Sequence, residues 1–111
     1  MGENINDNDM LKIDKEKLIA ILTEELPVLR AKLGLSQEEL SEIIGISRQT
    51  YSGIETKRRP MTWNTFLALM FVYSQNEKTV DMLKNCGAFP ETLRQTLNVN
   101  NRKDEKTWDN K

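Results

Sequence analysis

Apolar residues recur along this chain at spacings of three and four, and nowhere in a convincing alternation of two, which predicts helices throughout and no sheet. Leu18, Ile19, Leu22 and Leu26 make one such stripe behind Asp14, a residue type suited to capping a helix start. Pro27 removes a backbone donor, so the pattern predicts a break or kink near Glu25 and a separate helix from Pro27 to Leu33, closed by Gly34. Ser36 to Glu39 reads SQEE, a capping box in which the Ser and Glu side chains satisfy one another's backbone N–H groups, and a helix to Ile44 follows from it. Gly45 supplies the positive φ of a sharp turn, and Ser47 caps the next helix, which runs to Glu55.

Further on, Phe66, Leu67, Leu69, Met70 and Tyr73 form a broad apolar face on a helix that starts at Thr62 or Trp63. Asn76 can cap a helix carrying Val80, Leu83 and Cys86, which Gly87 ends. Pro90 opens a last short helix with Leu93 and Leu97. The polar ends, residues 1–13 and 98–111, read as flexible tails around a single helical domain at 14–97, with a helix-turn-helix at 37–55.

Composition narrows the chemistry. A chain of 111 residues makes one domain with a modest core, needing no metal or disulfide. No apolar run approaches the roughly 18 residues of a membrane span. Residues 1–9 lack the basic start and apolar middle of a secretion signal, so the expected location is cytoplasmic. Cys86 is the sole cysteine, which rules out an internal disulfide, and there is no histidine. Metal and thiol chemistry are therefore poorly supported. Cys86 reads as a small buried apolar residue, with a reactive thiol as the rarer alternative. No nucleophile paired with a base and no glycine-rich phosphate loop is visible, so neither an enzyme nor a cofactor is expected.

Charge changes the picture through its distribution. The net value of −1 argues against a generic nucleic-acid binder, yet residues 1–26 carry three Lys against seven acidic groups while residues 27–60 carry six Lys and Arg against four Glu. Lys57, Arg58 and Arg59 form one basic run in that middle piece. By itself such a run is usually a solvated loop.

What gives it a context is the pair of short helices before it. Leu40, Ile44, Ile46, Tyr51 and Ile54 can pack together, small Ser41 lets the helices cross closely, and Gly45 makes the corner. The stretch GLSQEELSEIIGISRQTYSGIETKRRP closely resembles the DNA-binding domain of the Cro/repressor (XRE-like) family of bacterial and phage regulators. The resemblance runs from about Leu26 to about Tyr73. It implies an all-α, lambda-repressor-like five-helix DNA-binding domain, here with extra N- and C-terminal helices. Tyr51 departs from the family, which usually has an aliphatic residue there, and Ser41 stands where the family commonly has Ala.

In a helix capped by Ser47, Tyr51 and Ile54 lie three apart on the inward face, leaving Arg48, Gln49, Ser52 and Gly53 outward. The N-terminal end of a recognition helix reaches base edges, and Arg and Gln match the guanine and adenine edges of the major groove. Arg48, Gln49, Thr50, Ser52 and Gly53 are thus the expected base-contacting set, with bare Gly53 allowing close approach. Gln37 sits at a helix N-terminus, where free N–H groups can hold a phosphate. Ser47, Lys57, Arg58, Arg59 and Asn64 complete the expected phosphate contacts, Asn64 having capping or packing as its alternative. Arg30 and Glu55 resemble the family's internal ion pair, with a phosphate contact as the rival role for Arg30.

One recognition helix covers few base pairs, so a homodimer on an inverted repeat of double-stranded DNA is the expected assembly. Met82, Leu83, Phe89, Leu93 and Leu97, together with Leu18 and Leu22, are the candidate dimer contacts, or else they complete the monomer core. The function expected is a sequence-specific transcriptional regulator, a repressor since no ligand domain is evident. The alternative is an antitoxin-type protein that binds a toxin partner and regulates its own operon, which a toxin gene beside it would favour.

Overall fold

The computed structural model describes residues 13–99, and every regular element among them except a 3-10 turn at Val99 is an α-helix. The tails expected at 1–13 and 98–111 lie, apart from Ile13, Asn98 and Val99, outside the described residues. The order is α1 (Lys15–Lys32), α2 (Gln37–Ile44), α3 (Arg48–Glu55), α4 (Trp63–Ser74), α5 (Glu77–Cys86) and α6 (Glu91–Leu97). The chain divides into two compact units: Lys15–Ala88, which holds α1 to α5, and a second to which, among the described residues, 13–14 and 89–99 belong.

In the first unit α1 packs on α3, α4 and α5, while α2 packs on α3 and α4. Leu22, Leu26 and Leu29 of α1 meet the interior with Leu40, Tyr51, Ile54, Phe66, Leu69, Tyr73 and Leu83, all buried. Pro27 does not break α1, which corrects the expected interruption near Glu25; the separate N-terminal helix is the first half of α1. Proline in a helix interior costs roughly 3 kcal/mol. The three fully buried leucines on either side of it contribute about 2 kcal/mol each, so burial outweighs the local penalty. Pro27 itself is exposed, where water can stand in for the missing donor.

The caps follow the sequence closely. Ser36 Oγ accepts from the Glu39 N–H at 3.0 Å, and Glu39 Oε1 accepts from the Ser36 N–H at 2.8 Å. Thr62 caps α4, accepting from the Thr65 N–H at 3.1 Å. Asn76 holds the cap position of α5 without capping it; its amide instead donates to the Val72 carbonyl at 2.7 Å. The inward face of α5 is Thr79 and Leu83, with Val80 and Cys86 only half-buried. Thr79 takes a buried position because its hydroxyl donates to the Tyr73 carbonyl at 2.6 Å, tying α5 to the end of α4. In the second unit, Leu93 of α6 is buried and Leu97 exposed, and Arg94 pairs with Glu91 on the same helix.

Candidate nucleic-acid interface

Gly45 makes the corner between α2 and α3. Its φ of 85° is left-handed, and its N–H and that of Ile46 both donate to the Ser41 carbonyl, at 2.9 and 3.0 Å. Ser41 is buried where the two helices meet, and its hydroxyl donates to the Glu38 carbonyl at 2.9 Å, so a polar group sits there without cost. Leu40, Tyr51 and Ile54 are buried together with it, while Ile44 and Ile46 are half-buried.

This packing leaves one side of α3 outward. Arg48 and Gln49 are exposed, and no side-chain hydrogen bond or ion pair holds either among the described residues. Ser52 is half-buried, and Thr56, one turn beyond it, is exposed. Gln49, Ser52 and Thr56 are spaced by three and four, so Thr56 extends the outward stripe that began with Gln49. Thr56 was missed because it follows the last helical residue, although that spacing would have found it.

Ser47 and Thr50 satisfy one another: the Ser47 hydroxyl accepts from the Thr50 N–H at 3.0 Å and donates to Thr50 Oγ1 at 2.9 Å. Both hydroxyls thus stand at the start of α3, already engaged as a cap. Gln37 opens α2, half-buried, and its amide also bears on the Glu55 carboxylate. Asn64 is exposed in the first turn of α4; since Thr62 does the capping, that alternative role for Asn64 is corrected.

Gly53 requires a larger correction. It is buried, not bare toward solvent: a Cβ placed on it would stand 3.3 Å from both Cβ and Nε of Arg59. The cause is the chain's path after α3. The Arg58 and Arg59 N–H groups both donate to the Gly53 carbonyl, at 2.8 and 3.1 Å, and the Thr56 hydroxyl reaches it at 3.3 Å. The basic loop therefore folds back over the end of the helix and lays Arg59 across the glycine.

The three basic residues of the loop consequently differ. Lys57 adopts a left-handed φ of 68°, and its ammonium pairs with Glu24 of α1; both line an open groove together with Ile19, Arg58, Arg59 and Met61. Glu24 lies 33 positions away in sequence, and nothing in its local pattern marks it as a partner. Arg59 covers Gly53. Arg58 is exposed, and its side chain makes no hydrogen bond or ion pair among the described residues.

Behind α3 lies a buried polar cluster. Arg30 grips Glu55 with two parallel hydrogen bonds, Nε to Oε1 at 3.1 Å and Nη2 to Oε2 at 2.9 Å, and donates from Nη1 to the Leu35 carbonyl at 3.0 Å. With 21% of the Arg30 side chain and 7% of the Glu55 side chain exposed, the pair links the end of α1 to the end of α3. Burial opposes the Glu55 charge, but the hydrogen bonds from Arg30, helped by Tyr51 and Gln37, hold its carboxyl below the usual range. Burial and the adjacent carboxylate push the Tyr51 phenol well above its ordinary value, and burial followed by the Glu55 charge does the same to Tyr73. Both phenol oxygens are buried without a hydrogen bond of normal geometry among the described residues.

Residues 29–62 match the protein-family model described as helix-turn-helix, a span that runs from the end of α1 to the cap of α4. No curated protein and no solved structure matches the chain.

Proposed function

We propose that this chain, which carries a helix-turn-helix of the Cro/repressor (XRE) type and the DNA-binding regulatory role that goes with it, is a sequence-specific repressor. It acts as a homodimer, each copy placing α3 in the major groove of one half of an inverted repeat. The observation that carries this reading is the pair Arg48 and Gln49, exposed at the N-terminal end of α3 and without side-chain partners among the described residues. Arg48 supplies a planar fork for guanine O6 and N7, and Gln49 an amide for adenine N6 and N7. Thr50 and Ser52 on the same helix, with Thr56 just beyond its end, complete the reading. Gln37, Ser47, Arg58 and Asn64 supply backbone contacts that set register without reading sequence.

The dimer follows from size, since a module of this kind buries about 800 Å² on DNA and rarely binds tightly alone. Leu18, Leu22, Leu83 and Leu93 are buried within the monomer, so for these four the alternative of completing the core applies and not the dimer contact. Met82 and Phe89 are half-buried and Leu97 exposed, and the apolar residues most open to a second copy also include Val28, Ile43 and Phe71, the last 67% exposed. A location in the cytoplasm accords with this role; no described helix is long and apolar enough to cross a membrane.

Selection of duplexes from a randomised pool tests the reading. The wild-type chain should enrich an inverted repeat, and Arg48→Ala should relax preference at one base position in each half, by about 1 to 3 kcal/mol of discrimination. An unchanged motif with Arg48→Ala would remove Arg48 from the reading head, and enrichment of no motif would remove the function itself.

A further inference from the structure

The outward surface of α3 is not made by α3 alone. At position 53 the helix has no side chain, and the space a Cβ would take is already closed by the stem of Arg59 at 3.3 Å. Two backbone hydrogen bonds and the Thr56 hydroxyl, all converging on the Gly53 carbonyl, fix the loop in that position. Position 53 lies one turn beyond Gln49, on the same side of the helix. Whatever approaches that side therefore meets Arg59 where it would otherwise meet residue 53.

We propose that Arg59 serves as the side chain of position 53, reading a base edge from the loop while seated across Gly53 on the recognition helix. The proposal rests on the DNA-reading role assigned to α3 above. Three observations favour reading over simple phosphate contact. Arg59 is drawn onto the helix and does not trail along the loop. It is exposed with no carboxylate partner among the described residues, unlike Lys57, which is held by Glu24. Its stem also lies against the bare glycine, which brings its guanidinium fork to the helix surface, and a planar fork is what bidentate base recognition requires. Gly53 is then a positioning residue: it acts through Arg59.

The test uses the full chain and a duplex carrying the motif that wild type selects, with each base pair varied in turn. Arg59→Ala should lower discrimination roughly tenfold or more at one base pair, and Arg59→Lys, which keeps charge but loses the fork, should do the same. Gly53→Val, which displaces the Arg59 stem, should relax that same base pair, and the double variant Gly53→Val with Arg59→Ala should be no worse there than Arg59→Ala alone. Helical circular dichroism checks that each variant is folded, and Arg59→Lys keeps the test open if another is not. Equal weakening of every duplex by Arg59→Ala, intact specificity in Arg59→Lys, or losses that multiply in the double variant would each overturn the inference. A selected motif indifferent to Arg59 overturns this inference alone, whereas a wild-type chain that retains no duplex overturns the DNA-reading role beneath it.

Discussion

Tyr73 keeps its hydroxyl fully buried with no hydrogen-bond partner among the described residues, and an unmade bond of that kind costs about 1 to 3 kcal/mol. Tyr73→Phe should therefore leave stability unchanged or raise it by about 1 kcal/mol in urea unfolding; a clear loss would mean that the oxygen has a partner. Glu55 behaves in the opposite sense. Its carboxyl titrates below the ordinary value of 4.5 when folded, so the stabilisation is present above that value and is lost as pH falls through the lower, folded one. Wild-type stability should decline with acid below about pH 4.5, and Glu55→Gln should flatten that part of the curve while lowering stability at neutral pH. At this scale the sequence was informative about chemistry and silent about distance. The Arg30–Glu55 pair was expected from family resemblance, and the inward ring of Tyr51 from spacing. The Glu24–Lys57 pair was not legible, because the left-handed turn at Lys57 that aims its side chain at α1 leaves no sign in residue type.

Helix boundaries were legible wherever a capping residue or a left-handed glycine set them, as at Ser36, Gly45, Ser47 and Gly87. Pro27 was misread because proline is a local signal, and the continuity of α1 is decided by leucines packed against three other helices. Pro27→Ala should restore a backbone donor at an exposed position and raise stability by about 1 to 3 kcal/mol, less whatever the unfolded chain gains in freedom. Thermal unfolding measures this, and a lower melting temperature would indicate that α1 is bent around the proline to fit its neighbours. The face of α3 was half legible. Arg48 and Gln49 fall outward from helical periodicity alone, but the burial of Gly53 depends on where the loop goes after the helix ends, and no helical wheel contains that information.

Across the whole molecule, the acidic excess in residues 1–26 and the basic excess in 27–60 make a polar charge distribution under a nearly neutral total. Binding to DNA should then depend on a few local cations. With Lys57 paired with Glu24 and Arg59 laid against Gly53, Arg58 is the proposed phosphate contact most free to act. Arg58→Ala should weaken all duplexes alike and lower the slope of log affinity against log salt by about one; a change confined to one base pair would assign it to reading instead. The dimer was the least legible feature, since apolar spacing marks core and interface alike, and four of the seven residues so marked are interior. The Gly53–Arg59 contact also limits how portable this reading head is. A recognition helix grafted from another protein with a side chain at position 53 would have to shift the stem of Arg59, which lies 3.3 Å from where its Cβ would be. If α3 reads DNA as proposed, exchange of specificity is simplest at 48, 49, 52 and 56, and a library that varies 53 without 59 samples the loop's conformation more than any base contact.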